Sequence, residues 1–227
     1  MRSSIFNLQR VALALALAGV AGASQATVTV FTTKAAFDAA VASLIQATDT
    51  FSDLTADELL SSPQSRTLTG GLSYTASSTT SGDDGFFPGS TASIGGIYLG
   101  NNSNLDTITF GDFSAGVMGL SGNFFGSNAS GAFTNRAMTV TATDASGTVT
   151  QLLTPTTANP LGTTFVGFLS DSGLMSVSTF VTVSSQSRWA SVDNVTLAAA
   201  AVPEPSGYAL MFAGLGAIAW VARRRKA

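Results

Sequence analysis

The sequence predicts a mainly β protein: an antiparallel β-sandwich or jelly roll with one N-terminal amphipathic helix, followed by a single C-terminal transmembrane helix. Three observations support this prediction. From Thr67 onward, short alternating runs of polar and apolar residues are separated by Gly, Asn, Asp and Ser, as is typical of strands and turns. One earlier segment repeats its apolar residues at helical spacing. The last 26 residues join an uncharged apolar run to a basic end.

The first segment, Met1–Ala26, has the pattern of a secretory signal peptide. Two arginines precede the apolar core Val11–Gly22, and Ser24-Gln25-Ala26 forms a small-x-small cleavage site. The alternative is a first transmembrane helix, for which twelve apolar residues are too few. We therefore expect cleavage after Ala26.

Residues 27–201 are expected to form one extracytoplasmic β-sandwich domain. Thr27–Phe31 alternates polar and β-branched residues and is predicted to be a strand. Lys34–Ala47 is predicted to be the amphipathic helix, because four of its apolar residues share one helical face and Thr33 can cap its start. A short helical turn is predicted at Ala56–Ser61.

Nine further runs alternate as strands do, and Asp144–Gly147 is predicted to be a hairpin turn between two of them. The nine candidate strands are Leu68–Ala76, Ser93–Leu99, Leu105–Phe110, Val117–Phe125, Ala137–Thr143, Thr148–Leu153, Thr163–Leu169, Ser176–Val183 and Ala190–Leu197. The longest loop is expected at Ser77–Thr91. Many short strands without intervening helices favour an antiparallel sandwich or jelly roll.

The charge and composition of the domain exclude several functions. Between Thr27 and Val202 there are four cations and twelve acids, a net charge of −8, so we expect no nucleic-acid partner. The chain contains no cysteine and no histidine. It therefore lacks disulfides, His-dependent nucleophile activation and the usual His-ligated metal sites. We expect that the protein is not an enzyme.

The C-terminal segment 202–227 has three parts in a fixed order. Pro203, Glu204 and Pro205 form a turn, because two prolines so close together do not lie inside a helix. The uncharged residues 206–222 would rise about 25 Å as a helix, near the short end of a membrane span. Arg223, Arg224, Arg225 and Lys226 then predict a cytoplasmic C-terminus.

These residues together resemble the PEP-CTERM sorting signal of exported bacterial proteins. The resemblance implies recognition of Pro203, Glu204 and Pro205 by an exosortase, a membrane protease-transpeptidase. It implies export by the secretion machinery of a Gram-negative bacterium that makes exopolysaccharide. Residues 206–222 would hold the protein in the inner membrane until it is sorted to the cell surface or extracellular matrix. The alternative is a plain bitopic anchor of the same shape.

The domain is also similar to β-sandwich ectodomains that precede such tails, which implies a fold only. In lectin-like jelly rolls, an early acid and a late Asp-Asn pair meet around a structural calcium ion. Here Asp53, Asp193 and Asn194 are the corresponding candidate ligands, and no other cofactor is expected. The alternative, which we favour, is that Asp193 and Asn194 bond to the backbone locally.

Candidate glycan contacts are Phe86, Phe87 and Trp189, because aromatic faces suit the C–H surfaces of sugars. The alternative is that these rings lie in the core. We expect an exported structural or glycan-associated protein of an exopolysaccharide matrix or biofilm. The competing predictions are a secreted carbohydrate-binding module or a glycan hydrolase on a bitopic anchor. Hydrolysis needs two carboxylates across a cleft, and no acid pair here has a supporting motif.

Overall fold

A computed structural model of the chain describes residues 27–80, 82–156, 160–182, 188–201 and 211–215. The predicted signal peptide with Ala26, the Pro203-Glu204-Pro205 motif and the basic residues 223–226 lie outside the described residues. Within the apolar run, residues 211–215 are described and are helical. No helix in the described part of the chain is long and apolar enough to cross a membrane, and the span over 206–222 stays a prediction.

Between residues 27 and 201, the described residues form sixteen strands and two short α-helices. The strands are β1 Val28–Phe31, β2 Ile45–Asp49, β3 Leu60–Ser62, β4 Gln64–Thr67, β5 Ser73–Ser78, β6 Gly82–Phe86, β7 Gly89–Thr91, β8 Gly96–Gly100, β9 Ile108–Gly111, β10 Val117–Ser127, β11 Phe133–Thr134, β12 Met138–Asp144, β13 Gly147–Leu153, β14 Phe165–Ser170, β15 Leu174–Val181 and β16 Trp189–Ala199. The helices are α1 Lys34–Ala40 and α2 Pro160–Thr164, and Thr69–Gly71 forms a 3₁₀ turn.

These strands are arranged in two large antiparallel sheets and one small one. The eight-stranded sheet has the order β1-β14-β10-β16-β8-β7, with β2 beside β16 and β11 beside β10. The six-stranded sheet has the order β13-β12-β15-β9-β5-β4, and β3 pairs only with β6. The prediction of a mainly β, antiparallel protein with few helices is confirmed.

The main hydrophobic core lies between the two large sheets. Leu120 and Phe124 of β10 face it from the eight-stranded sheet, and Phe110, Val140 and Val177 face it from the six-stranded sheet. All five side chains are fully buried. Burial of each such side chain is worth about 1.5–3 kcal/mol relative to exposure. The two sheets therefore pack face to face as a sandwich.

Helix α1 covers part of the outer face of the eight-stranded sheet. Its Phe37 is fully buried and packs edge-on against Phe31 and Phe165, with ring centroids 5.8 and 6.3 Å away. The ring lies over Gly167, where even a Cβ atom would come within 2.5 Å of it. The glycine in β14 is thus required by the close approach of the helix.

The predicted helix Lys34–Ala47 is wrong in its second half. Helix α1 begins after the Thr33 cap but ends at Ala40, and the chain then enters β2. The physical reason is that β2 pairs with the central strand β16, with Ala47 opposite Leu197. Tertiary pairing here outweighs the helical spacing. The predicted helical turn at Ala56–Ser61 is also wrong, because Leu60 begins β3.

The predicted loop Ser77–Thr91 contains two strands, β6 and β7. Its glycines suggested turns, yet Gly85 lies within β6, and a Cβ there would come within 2.2 Å of Ser62 Cβ. Strand β3 thus approaches β6 so closely that only glycine fits. The sequence shows the glycine but does not show which element lies against it.

Candidate functional site

Two of the three predicted glycan contacts line the same pocket on the eight-stranded sheet. Its volume is about 200 Å³, and its principal lining residues are Phe87, Tyr98, Asn101, Asn102, Asn128 and Trp189. We call it the aromatic pocket. The remaining described lining residues are Gly89, Ser127, Ala129 and Gly131, so none of those described carries a charge.

Phe86 does not belong to this pocket. It ends β6, is fully buried and joins the main core, with Leu60 of β3 as its partner across the pair. Its assignment as a glycan contact is therefore wrong, because the pairing of β6 turns the ring inward. Phe87 follows it in the chain, is half-buried, and lines the pocket.

Trp189 is fixed by its position at the start of β16. It pairs with Ser127 of β10, and its indole Nε1 donates a hydrogen bond of 3.0 Å to the carbonyl oxygen of Asn102. The next residue, Ala190, is buried in the main core, so alternation along the strand turns Trp189 to the outer face. The ring is half-buried there, with part of its surface open to a ligand.

Tyr98 forms a rigid wall of the pocket. Its ring packs edge-on against Phe125, with centroids 5.1 Å apart, and its hydroxyl donates a 2.6 Å hydrogen bond to the carbonyl oxygen of Gly131. Gly89 lies against this ring, and a Cβ there would come within 2.3 Å of the hydroxyl. Burial raises the pKa of Tyr98, so the phenol stays a neutral donor at physiological pH.

Asn101 supplies a buried amide to the same pocket. Its backbone N–H donates to the Ala190 carbonyl, and its side-chain Nδ2 donates a 2.8 Å hydrogen bond to the carbonyl oxygen of Asp106. Its Oδ1 is buried and accepts no hydrogen bond within the described part of the chain. The position of this side chain is thus fixed while one acceptor remains unsatisfied. The sequence singled out neither Asn101 nor Asn128 as a pocket residue.

The predicted calcium ligands are arranged differently. Asp49 and Asp53 both bind Arg66: its Nε lies 2.8 Å from Asp49 Oδ2, and its Nη2 lies 2.6 Å from Asp53 Oδ1. The Tyr74 hydroxyl donates a 2.8 Å hydrogen bond to Asp49 Oδ2. We call Asp49, Asp53, Arg66 and Tyr74 the acid cluster. Its guanidinium occupies the position between the carboxylates that a cation would need.

The electrostatics of the acid cluster agree with this arrangement. The hydrogen bond from Arg66 holds the pKa of Asp53 below its usual value. Hydrogen bonds to Asp49 and Asp53 raise the pKa of Arg66, and burial together with the Asp49 charge raises the pKa of Tyr74. Arg66 also lies over the Phe51 ring, 5.6 Å from its centroid. A charged Arg66 with a neutral Tyr74 is therefore the stable protonation state.

Asp193 and Asn194 lie at an irregularity in β16. Up to Val192 the strand pairs with β8 on one edge, and from Val195 onward that edge pairs with β2. At this change of partner strand, Asn194 adopts a left-handed backbone conformation with a φ of 54°. Its backbone N–H and its side-chain Nδ2 donate hydrogen bonds of 2.8 and 2.7 Å to the two carboxylate oxygens of Asp193. These bonds match the predicted alternative, in which the pair bonds locally.

Together these contacts do not fit the predicted calcium site. Asp53 is bound to Arg66, and both Asp193 oxygens accept hydrogen bonds from Asn194. Among the residues described, no group of three or more His, Cys, Asp or Glu side chains could hold a metal ion. Burial, followed by the nearby Asp49 charge, raises the pKa of Asp193 to about 6. We therefore propose no calcium site at Asp53, Asp193 and Asn194.

The end of the chain matches a known family model. The PEP-CTERM protein-sorting motif matches residues 201–226, so the resemblance predicted from the sequence is confirmed. The motif is consistent with an exosortase substrate and indicates an exported protein that is processed at the membrane. It covers the tail alone and leaves the ligand of the sandwich unspecified.

Other comparisons add little. No curated protein matches the chain. Among solved structures, the chain is similar to exo-β-1,3-galactanase from Phanerochaete chrysosporium, determined with galactose, at 20% identity and a TM-score of 0.27. The similarity covers 60% of this chain and spans 29% of the galactanase chain. A TM-score this low carries no argument about fold or function.

Proposed function

We propose that this protein is exported through a leader cleaved after Ala26 and held in the inner membrane of a Gram-negative bacterium by residues 206–222. An exosortase then processes the tail, and the protein reaches the cell surface or the extracellular matrix. The match of residues 201–226 to the sorting motif supports this route. The leader pattern of residues 1–26 agrees with it.

Outside the cell, the sandwich serves as a non-enzymatic glycan-binding component of an exopolysaccharide matrix or biofilm. The observation that carries this proposal is the aromatic pocket, where Phe87 and Trp189 stand beside the amides of Asn101, Asn102 and Asn128. Aromatic faces pack against the C–H surfaces of sugar rings. Amide groups can both donate to and accept from sugar hydroxyls. The pocket thus combines the two kinds of contact that a sugar offers.

The composition of the pocket favours binding over hydrolysis. Most glycosidases place two Asp or Glu side chains on either side of the scissile bond. None of the described residues that line the aromatic pocket is an acid. A bound glycan would therefore meet aromatic rings, amides and hydroxyls, which bind it without cleaving it.

A glycan array probed with the full chain in a phosphocholine detergent tests the binding function. We expect selective binding that falls at least about fivefold in the Trp189→Ala variant, since loss of an anchoring aromatic costs more than about 1 kcal/mol. The matched control is Phe180→Ala, because Phe180 is 38% exposed but lies on the six-stranded sheet. Equal binding by both variants and the unmodified chain would contradict the proposal.

Mass spectrometry of the protein recovered from its native host tests the sorting route. We expect the mature pool to begin near Thr27 and to lack the tail that ends at Ala227. Replacing Glu204 with Ala should leave the tail attached, because the change removes the only charge of the predicted recognition motif. A mature pool with an intact C-terminus would indicate a plain bitopic anchor instead.

A further inference from the structure

We propose that the aromatic pocket binds one uncharged sugar residue at the end of a glycan chain, and neither an internal stretch of polymer nor an acidic sugar. This inference rests on the proposed glycan-binding function and specifies its ligand. Two independent features of the pocket support it: its size and the absence of charge on its described lining.

The size of the pocket sets the length of the ligand. Its volume is about 200 Å³. Pockets for larger ligands begin at about 300 Å³. The walls come from separate parts of the chain, among them Phe87 after β6, Asn128 after β10 and Trp189 at the start of β16. One sugar ring fits this space, whereas several consecutive rings need a longer groove.

The charge of the surroundings sets the chemical class of that ring. The described lining offers only aromatic rings, amides, hydroxyls and backbone groups. A hexuronic acid would bring a carboxylate to a pocket whose described lining residues include no cation to pair with it. The domain as a whole carries twelve acids against four cations between Thr27 and Val202. Its field therefore repels acidic polysaccharides and leaves neutral ones unaffected.

Titration calorimetry on the full chain in a phosphocholine detergent tests the inference with three ligand sets. The sets are methyl glycosides of neutral hexoses, methyl glycosides of hexuronic acids, and neutral oligosaccharides of two to four residues. For the best neutral glycoside we expect a Kd of about 1 mM, as is reasonable for so small a ligand. The uronic analogue should bind at least about tenfold more weakly. The tetrasaccharide should bind within about threefold of the monosaccharide, since only one ring is enclosed.

The outcomes separate this inference from the proposed function. A tetrasaccharide that binds more than about tenfold tighter than the monosaccharide, or an equally tight uronic acid, would overturn the inference while glycan binding stands. Failure of every glycan, polymers included, would overturn the proposed function itself. If Trp189→Ala does not fold, Phe87→Ala provides the second variant, with Phe180→Ala as control. Loss of the neutral glycoside signal only in the pocket variant supports the inference.

Discussion

The acid cluster links β2 of the eight-stranded sheet to β4 and β5 of the six-stranded sheet, whereas the aromatic pocket lies on the eight-stranded sheet. The polar atoms of the two regions are satisfied differently. In the acid cluster, Arg66 binds two carboxylates, and the Tyr74 hydroxyl donates to one of them. In the aromatic pocket, the Trp189 indole N–H and the Tyr98 hydroxyl donate hydrogen bonds to backbone carbonyls. The buried Oδ1 of Asn101 has no hydrogen-bond partner among the described residues. The charges of the acid cluster are paired with one another, whereas the Phe87 and Trp189 rings of the pocket keep part of their surface exposed.

This difference separates a structural cluster from a binding site. A buried ion pair whose charges are already matched gains little from a ligand and loses much when one partner is removed. Substitution of a partly exposed pocket wall costs less stability than this, but it removes a contact with the ligand. Substitutions in the two regions should therefore affect different measurements: stability for the acid cluster and affinity for the pocket.

The largest stability effect is expected for Arg66→Met. Asp49 is only 4% exposed and would be left as a buried charge without a cation. Breaking a buried pair in this way costs about 3–5 kcal/mol. Urea unfolding followed by tryptophan fluorescence measures the loss. The control is Lys34→Met, which breaks the exposed Lys34–Asp38 pair and should cost less than about 0.5 kcal/mol. Similar losses in both variants would contradict a structural role for the acid cluster.

A smaller loss, about 2 kcal/mol, is expected for Asp144→Asn. Asp144 is buried at the β12–β13 turn and accepts hydrogen bonds from the Ser146 and Gly147 N–H groups and from the Ser170 hydroxyl. Hydrogen bonds from Ser146 and Ser170 lower its pKa to about 2. Its contribution is therefore present above pH 4 and is lost as the pH falls through 2. Unfolding measured from pH 2 to 5 should show this loss in the unmodified chain and not in the variant.

Asp193 should show the opposite pH dependence. Its pKa is raised to about 6, so the native state favours the protonated carboxyl. The stability it contributes is complete below pH 4 and is lost as the pH rises through 6. A pKa raised from 3.8 to about 6 corresponds to an effect of about 3 kcal/mol, and Asp193→Asn should flatten the stability profile between pH 4 and 7. A profile of the same shape in both proteins would show that Asp193 does not titrate in this range.

The smallest stability effect is expected for Trp189→Phe. The ring is half-buried and the change removes one hydrogen bond, to the Asn102 carbonyl, so the cost should stay near 1 kcal/mol. Glycan affinity should nevertheless fall several-fold, because the ring loses the bond that orients it. A variant with lower stability but unchanged glycan affinity would show that Trp189 has a structural role and does not contact the glycan.

The sequence predicted those parts of the fold that depend on local pattern. The alternating runs predicted strands such as β12 and β13 near their observed positions, because alternation directly reflects one more buried and one more exposed face. The Asp144–Gly147 turn was also located, because its residues are typical of hairpins. The sorting motif was recognised because it is a contiguous segment that needs no folded neighbour.

Features that depend on distant contacts could not be predicted. Residues 45–49 keep a helical pattern but form β2, because the partner strand β16 lies about 150 residues later. The sequence also does not show that Arg66 binds Asp49 and Asp53, so Asp53 remained a candidate calcium ligand beside the favoured alternative of local bonding by Asp193 and Asn194. Phe86 and Phe87 look equivalent in sequence, and only the pairing of β6 with β3 separates core from pocket.

The indole N–H resonance of Trp189 tests the central claim most directly. The chain has two tryptophans, Trp189 in the pocket and Trp220 in the apolar tail, so the second serves as an internal control. Isotope-labelled full chain in a phosphocholine detergent would be titrated with the neutral methyl glycosides. We predict a saturable shift of the Trp189 Nε1–H signal and a constant Trp220 signal. A Trp189 signal that stays constant with every neutral glycoside, while a shift appears elsewhere on the sandwich, would contradict the assignment of the aromatic pocket as the glycan site.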